Sequence, residues 1–357
     1  DGPEPHDPQI HDERAYQRML LEGTLGLGET YMDGWWDCEQ PDAFVCKVLQ
    51  AMHADDAIKL KSNFSLASIP MFVANLSRNL QTHSRAKIVN AFHYDLDNDL
   101  FQRMLDPRMV YTCAYWEQAQ TLAAAQEAKL DLVCRKLKLE PGMRVLDIGC
   151  GFGSFVKYAA EKYGVRCVGY TLSQNQFQLG RELCAGLPIT LVLDDYRNIC
   201  GEYDRVVSIG MFEAVGARNF RTFMQVIDRV MKPRGIALLH TMVANTTPLG
   251  NDPWFEKYIF PNGLMPSLAQ IAKALEGLLI VEDIHNIGPH YDPTLMAWNR
   301  NFQAAWPELA GRYSPAFKRM WEFYLLSFAG AARARYFQLF QMILTRVGQP
   351  QPGYREA

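Results

Sequence analysis

The stretch Val145-Leu-Asp-Ile-Gly-Cys-Gly-Phe-Gly153 constrains this chain more than any other, because an apolar run ends in an acid and then in alternate glycines. A short apolar run bounded by glycine reads as a buried strand. The turn after it lets a nucleotide-like ligand approach bare backbone where side chains would collide. The spacing Asp147-x-Gly149-x-Gly151-x-Gly153 lacks the Gly-Lys-Ser/Thr of a phosphate loop and the full dinucleotide fingerprint. An acid on the strand end suits a cationic amino acid better than a pyrophosphate. The turn therefore reads as the first S-adenosylmethionine loop of a Rossmann-like sheet, with Asp147, Gly149, Cys150 and Gly151 facing the cofactor.

The surrounding pattern supplies the sheet. Strands are predicted at 144–148, 166–170, 190–193, 203–209 and 236–240, with helices at 154–162, from 174 to about 184, and around 219–231. Lys232-Pro-Arg-Gly235 reads as a turn. Two further strands are expected at 279–285 and 337–344, the last antiparallel. This rhythm implies an α/β fold, a mostly parallel class I methyltransferase sheet with ligands at the carboxyl ends of its strands. An insertion at about 243–278 is rich in aromatics and proline, with Trp254, Tyr258, Phe260 and Pro261. Upstream, 13 to about 80 reads as helical, with pauses at Gly23–Gly28 and near Asp33–Trp36. The expected division is a smaller helical N-terminal domain, 1–80, and a catalytic domain, 81–357.

With 357 residues and 48% hydrophobic content, the chain can bury a full core. A formal charge of −3 excludes a globally basic nucleic-acid binder. The eight cysteines form no Cys-x-x-Cys and no Cys/His cluster at metal-ligand spacing, so no metal site is expected and the thiols read as reduced, in a cytoplasmic setting. No apolar run is long enough to span a bilayer. The N-terminus carries no signal-peptide pattern and lacks an initiator Met, so residues before Asp1 are expected to be missing. Residues 57–94 hold no Asp or Glu but include Lys59, Lys61, Arg78, Arg85 and Lys87 among apolar side chains. Such a segment reads either as a surface for anionic lipid or as a helix packed on the core with solvated lysines.

Other strand ends carry the remaining candidates. Thr171-Leu-Ser-Gln-Asn-Gln176 follows the second strand, so Thr171, Ser173 and Gln176 must serve where most methyltransferases grip the ribose with an acid. Asp195 and Tyr196 follow the third strand, where a carboxylate can accept from an adenine amino group. Tyr111 and Thr112 open the run Tyr111-Thr-Cys-Ala-Tyr-Trp116 and complete the cofactor set. Glu213 in Gly210-Met-Phe-Glu-Ala-Val-Gly216 and His240 end two more strands, and with Cys113 they could converge on one pocket.

On these residues the chain resembles the cyclopropane fatty acyl phospholipid synthases. The matching runs include Glu22-Gly-Thr-Leu-Gly-Leu-Gly-Glu-Thr-Tyr-Met-Asp-Gly-Trp-Trp36, His93-Tyr-Asp-Leu, Tyr111-Thr-Cys-Ala-Tyr-Trp116, Gly210-Met-Phe-Glu213, Asp252-Pro-Trp254, Lys257-Tyr-Ile-Phe-Pro-Asn-Gly263, Thr294-Leu-Met-Ala-Trp298 and Arg333-Ala-Arg335. They cover nearly the whole chain from about residue 15. The resemblance implies methyl transfer to a cis double bond of a membrane phospholipid acyl chain. Proton loss to bound bicarbonate then closes a cyclopropane ring. It implies a catalytic set of Cys113, Glu213, His240 and Tyr291, with backbone near Met242 contributing. It also implies a homodimer held peripherally on the inner face of the membrane.

Some positions depart from the family pattern. Glu213-Ala214-Val215-Gly216 stands where Glu-His-Val-Gly is common, and resembles relatives that leave a methylene or methyl branch. Gly149-Cys-Gly-Phe152-Gly-Ser154 replaces the usual Gly-Cys-Gly-Trp-Gly-Gly, and Met242 stands where Ile is usual. Branch formation and a small-molecule methyltransferase are the alternatives. Arg333 and Arg335 are expected to meet phosphate headgroups or a partner subunit, or simply to lie on the surface.

Overall fold

The computed structural model describes residues 2–54 and 98–353. The acid-free segment 57–94, His93-Tyr-Asp-Leu and the expected domain boundary at 80 lie outside the described residues. The N-terminal part holds α1 (Arg14–Glu22), α2 (Thr24–Met32) and α3 (Pro41–Ala54), with a two-stranded ribbon of β1 (Gln9–Ile10) and β2 (Trp36–Asp37). The expected pause at Gly23–Gly28 shrinks to Gly23 alone, and the other glycines are helical. A Cβ on Gly28 would lie 2.3 Å from the Trp254 ring, so this glycine marks close packing rather than a turn.

The rest of the chain builds α4 (Asn98–Met104), α5 (Leu122–Lys136), β3 (Arg144–Ile148), α6 (Ser154–Tyr163), β4 (Arg166–Thr171), α7 (Gln174–Leu183), β5 (Ile189–Leu193), β6 (Tyr203–Ile209), α8 (Phe220–Val230) and β7 (Met231–Ala244). It continues with α9 (Pro253–Tyr258), α10 (Leu268–Leu275), β8 (Leu279–Asn286), α11 (Tyr291–Leu309), α12 (Pro315–Arg333) and β9 (Phe337–Arg346). The seven-stranded sheet has the order β5-β4-β3-β6-β7-β9-β8, parallel except for β9, which runs antiparallel to both β7 and β8. The expected turn at Lys232–Gly235 lies inside β7 as a bulge. Met231 pairs with Tyr203 and Ile236 with Arg205, while Arg234 takes a positive φ of 62°.

Strand order reverses between β3 and β6, which makes that boundary the crevice for a ligand. β3 is apolar on both sides because both faces are covered. Leu146 and Ile148 pack with Phe212, Phe223 and Leu239, whereas Val145 packs with Val133, Phe155 and Leu238. Each such side chain, taken fully from water, contributes roughly 1.5–3 kcal/mol. A third cluster joins Tyr31 and Trp36 of the N-terminal part to Trp254, Trp298, Trp321 and Phe323. Glu29 of α2 ties this seam by accepting from Lys257 Nζ at 2.6 Å and from Tyr258 Oη at 2.9 Å. The N-terminal helices therefore sit on the insertion and on α12, against the chain that walls the crevice.

Candidate functional site

One cavity of about 1710 Å³ lies at the carboxyl ends of β3, β4, β6 and β7. That exceeds the few hundred to about 1,000 Å³ of a typical small-molecule pocket. It is long enough to run from the β3 turn to the N-terminal helices, where lining residues Leu20, Val48 and Leu249 are exposed.

The glycine turn forms its inner wall. Gly149, Gly151 and Gly153 have φ of 86°, 55° and 83°, a conformation that favours glycine. The amides of Gly149 and Cys150 both donate to the Tyr170 carbonyl at 2.9 Å, which pins the turn to β4. A Cβ on Gly149 would stand 2.5 Å from the Met211 side chain. Asp147 is buried, its Oδ1 has no hydrogen-bond partner among the described residues, and burial pushes its carboxyl up to about 7. Thr171 Oγ1 donates to Gln176 Oε1 at 3.2 Å, so a hydroxyl–amide unit stands at the end of β4. Both line the cavity, whereas Ser173 does not; it caps α7 by accepting from the Gln176 amide. Asp195 reaches the wall with both carboxylate oxygens accepting from Arg197, at 2.8 and 2.9 Å. Tyr196 is buried beside it, and its hydroxyl has no partner among the described residues.

The catalytic candidates Cys113, Glu213, His240 and Tyr291 all line the same cavity. Cys113 is fully buried, and burial pushes its thiol up to about 12, so it stays protonated. Its Sγ lies 3.9 Å from Thr294 Oγ1. Glu213 Oε1 accepts from the Met242 amide at 2.6 Å, and Oε2 has no partner among the described residues. The Met242 N–H, expected to face an anion, is therefore already held by the carboxylate. Burial raises the Glu213 carboxyl, opposed by that amide. His240 is held well below the usual imidazole range by burial, with Lys129 and Lys136 adding to the effect. Its Nε2 has no partner among the described residues. Tyr291 opens α11 and meets Trp298, Phe328 and Phe337 edge to face.

Arg333 pairs with Asp42 at 2.8 Å and Asp292 at 2.9 Å, so it ties α3, α11 and α12 together. Arg335 Nη2 donates to Gln338 Oε1 at 3.0 Å.

Lys129 was not singled out from the sequence. It is fully buried on α5, lines the cavity and donates to Thr112 Oγ1 at 2.8 Å. Burial lowers its amine to about 8, while Cys113, Asp106 and Asp147 oppose that shift. The sequence did carry a signal: Ala125, Lys129, Val133 and Leu137 fall at helical spacing on the buried face. Six buried polar atoms without partners among the described residues belong to residues lining this cavity, namely those of Asp147, Tyr196, Glu213, His240, Trp254 and Trp298. Such atoms are costly unless a polar ligand meets them.

Comparison with known proteins agrees with this fold. The family described as mycolic acid cyclopropane synthetase matches residues 81–342. The chain is 50% identical over 346 residues to the cyclopropane-fatty-acyl-phospholipid synthase of Escherichia coli (strain K12), covering 97% of this chain and 89% of that one. It is 33% identical to tuberculostearic acid methyltransferase UfaA1 of Mycobacterium tuberculosis, over 96% and 83% of the two chains. Among solved structures, mycolic acid cyclopropane synthase CmaA1 complexed with SAH and CTAB superposes with a TM-score of 0.67 at 32% identity, covering 72% of this chain and 97% of the other.

Proposed function

From the premise that this chain belongs to the mycolic acid cyclopropane synthetase family, and so is a methyltransferase, we propose that it converts cis double bonds of phospholipid acyl chains to cyclopropane rings, with bicarbonate as base. The observation that carries this reading is the pairing of Glu213 Oε2 and His240 Nε2, buried without partners in a cavity that also holds the glycine turn.

The residues suit S-adenosylmethionine. Asp147 offers an unpartnered acceptor to an ammonium, the turn offers backbone, and Thr171, Gln176, Asp195 and Tyr196 offer polar groups to a nucleoside, with Tyr111 and Thr112 lining the same cavity. When bound, S-adenosylmethionine supplies an electrophilic methyl on a cationic sulfur. Methylating an alkene leaves a carbocation, and a proton must then leave the new methyl as the ring bond forms. Bicarbonate needs an acceptor for its hydroxyl and donors for its carboxylate. Glu213 Oε2 is an acceptor, and His240 Nε2 and the Tyr291 hydroxyl are potential donors. Aromatic faces such as those of Tyr291, Phe255 and Phe260 stabilise a nearby cation and exclude water that would trap it as an alcohol. The protonated Cys113 contributes shape and an S–H rather than a nucleophile.

The same reading has the N-terminal part, 1–80, meet the bilayer in a peripheral homodimer. The exposed Leu20 and Leu21 on α1, and the exposed Leu249, support it. No helix among the described residues is long and apolar enough to cross a membrane.

The test is incubation with vesicles of cis-unsaturated phospholipid and isotopically labelled S-adenosylmethionine, followed by NMR of the released acyl chains. Cyclopropane methylene signals support the proposal. Methylene-branched chains alone would reject ring closure, and labelled small molecules without labelled lipid would reject the substrate class.

A further inference from the structure

His240, Gln341 and His285 stand side by side across three strands: in the register His240 on β7 pairs with Gln341 on β9, and Gln341 pairs with His285 on β8. Gln341 is fully buried. Lys136, from the last turn of α5, reaches over this row. Its Nζ lies 2.8 Å from Gln341 Oε1 and 2.9 Å from His285 Nδ1. Gln341 Nε2 in turn lies 3.3 Å from His240 Nδ1. The row thus joins the cavity wall to a half-buried histidine on the far side of β9.

The donor arithmetic along this chain allows one arrangement. Burial lowers the Lys136 amine to about 8, and below that pH it is an ammonium with three N–H donors and no lone pair, so the group facing it must accept. Gln341 therefore turns its carbonyl toward Lys136 and its NH2 toward His240. An NH2 has no lone pair to offer, so His240 Nδ1 must accept, and in the neutral ring the proton then sits on Nε2.

We propose that Lys136 and Gln341 are positioning residues that hold His240 in the Nε2–H tautomer, presenting a donor to the cavity for an oxyanion. This deepens the reading above and rests on it for the identity of the anion. With the opposite tautomer, Nε2 would turn a lone pair toward the oxyanion and repel it. Burial, aided by the charges of Lys129 and Lys136, disfavours the His240 imidazolium, so the choice lies between two neutral forms.

The test reads the tautomer directly. Long-range proton–nitrogen NMR of the deuterated full chain labelled at histidine nitrogens distinguishes the two ring nitrogens, with His240 assigned by the signals missing in His240→Gln. Expected in the native protein is a protonated Nε2 and an unprotonated Nδ1. In Gln341→Glu, whose carboxylate accepts from Nδ1–H, the proton should move to Nδ1. Turnover should then fall about 10²-fold, the cost of losing one oxyanion donor, with unchanged affinity for S-adenosylhomocysteine. An unprotonated Nε2 in the native protein overturns the proposal, even if Gln341→Glu fails to fold. So does a Gln341→Glu protein that keeps Nε2–H and full turnover. An Nε2–H ring in a protein that forms no lipid product would uphold the tautomer and reject the lipid reading instead.

Discussion

Asp147→Asn separates the structural cost of the cofactor loop from its binding role. The Asp147 carboxyl is buried, and its pKa rises from 3.8 to about 7. Between those values the unfolded chain releases the proton while the native state keeps it. The unfolded state then binds fewer protons, so stability falls as pH rises from about 4 to about 7 and stays reduced above. At 1.36 kcal/mol per pKa unit the full cost is about 4 kcal/mol. Asparagine cannot ionise and escapes this cost. Without ligand, the variant should melt about 5 °C above the native protein at pH 8, scaling from the size dependence of Tm, but only about 2 °C above it at pH 5, where roughly a third of the cost is already present. Affinity for S-adenosylhomocysteine at pH 8 should fall tenfold or more, the value of roughly 1.5–3 kcal/mol for a hydrogen bond to a charged group. Thermal melts at the two pH values, with and without ligand, give both quantities. A Tm difference that does not change between pH 5 and pH 8, or an unchanged ligand affinity, would refute the reasoning.

Three further outcomes are expected. Glu213→Gln and His240→Gln should each lower turnover about 10²-fold while leaving S-adenosylhomocysteine affinity within about twofold, as single-turnover assays and calorimetry can check; equal loss in both quantities would place these residues at the cofactor instead. Lys129→Met removes the buried cation that opposes the rise of Asp147, so the carboxyl should ionise at higher pH. Cofactor affinity should then drop at pH 7 and recover by pH 9, read by calorimetry across pH. Gly28→Ala places a methyl against the Trp254 ring and should cost about 1–3 kcal/mol in denaturant unfolding, as overpacking does; an unchanged midpoint would mean the seam between α2 and α9 is loose.

The strands of the sheet and the β3 turn were legible because buried parallel strands are short apolar runs. Their boundaries are set by local needs, glycine at positive φ after β3 and a serine cap before α7. The convergence of Glu213 and His240 followed from parallel register: His240 lies inside β7 rather than at its end, level with Ile209 where β6 stops just before Glu213. The glycines of 23–28 misled because a glycine that admits the Trp254 ring is indistinguishable, in sequence, from one that permits a turn. Which partner approaches is a matter of chain segments more than two hundred residues apart. Lys129 and Lys136 looked like ordinary helical lysines, and only the packing of α5 on the sheet buried one and aimed the other at Gln341. Local preference and hydrophobic period are properties of neighbouring residues, so the linear chain determined the sheet and its ligand-bearing edge. Hydrogen-bond direction across β7, β9 and β8 depends on strand register and on a helix laid over it, so only the folded molecule decided which nitrogen of His240 faces the cavity.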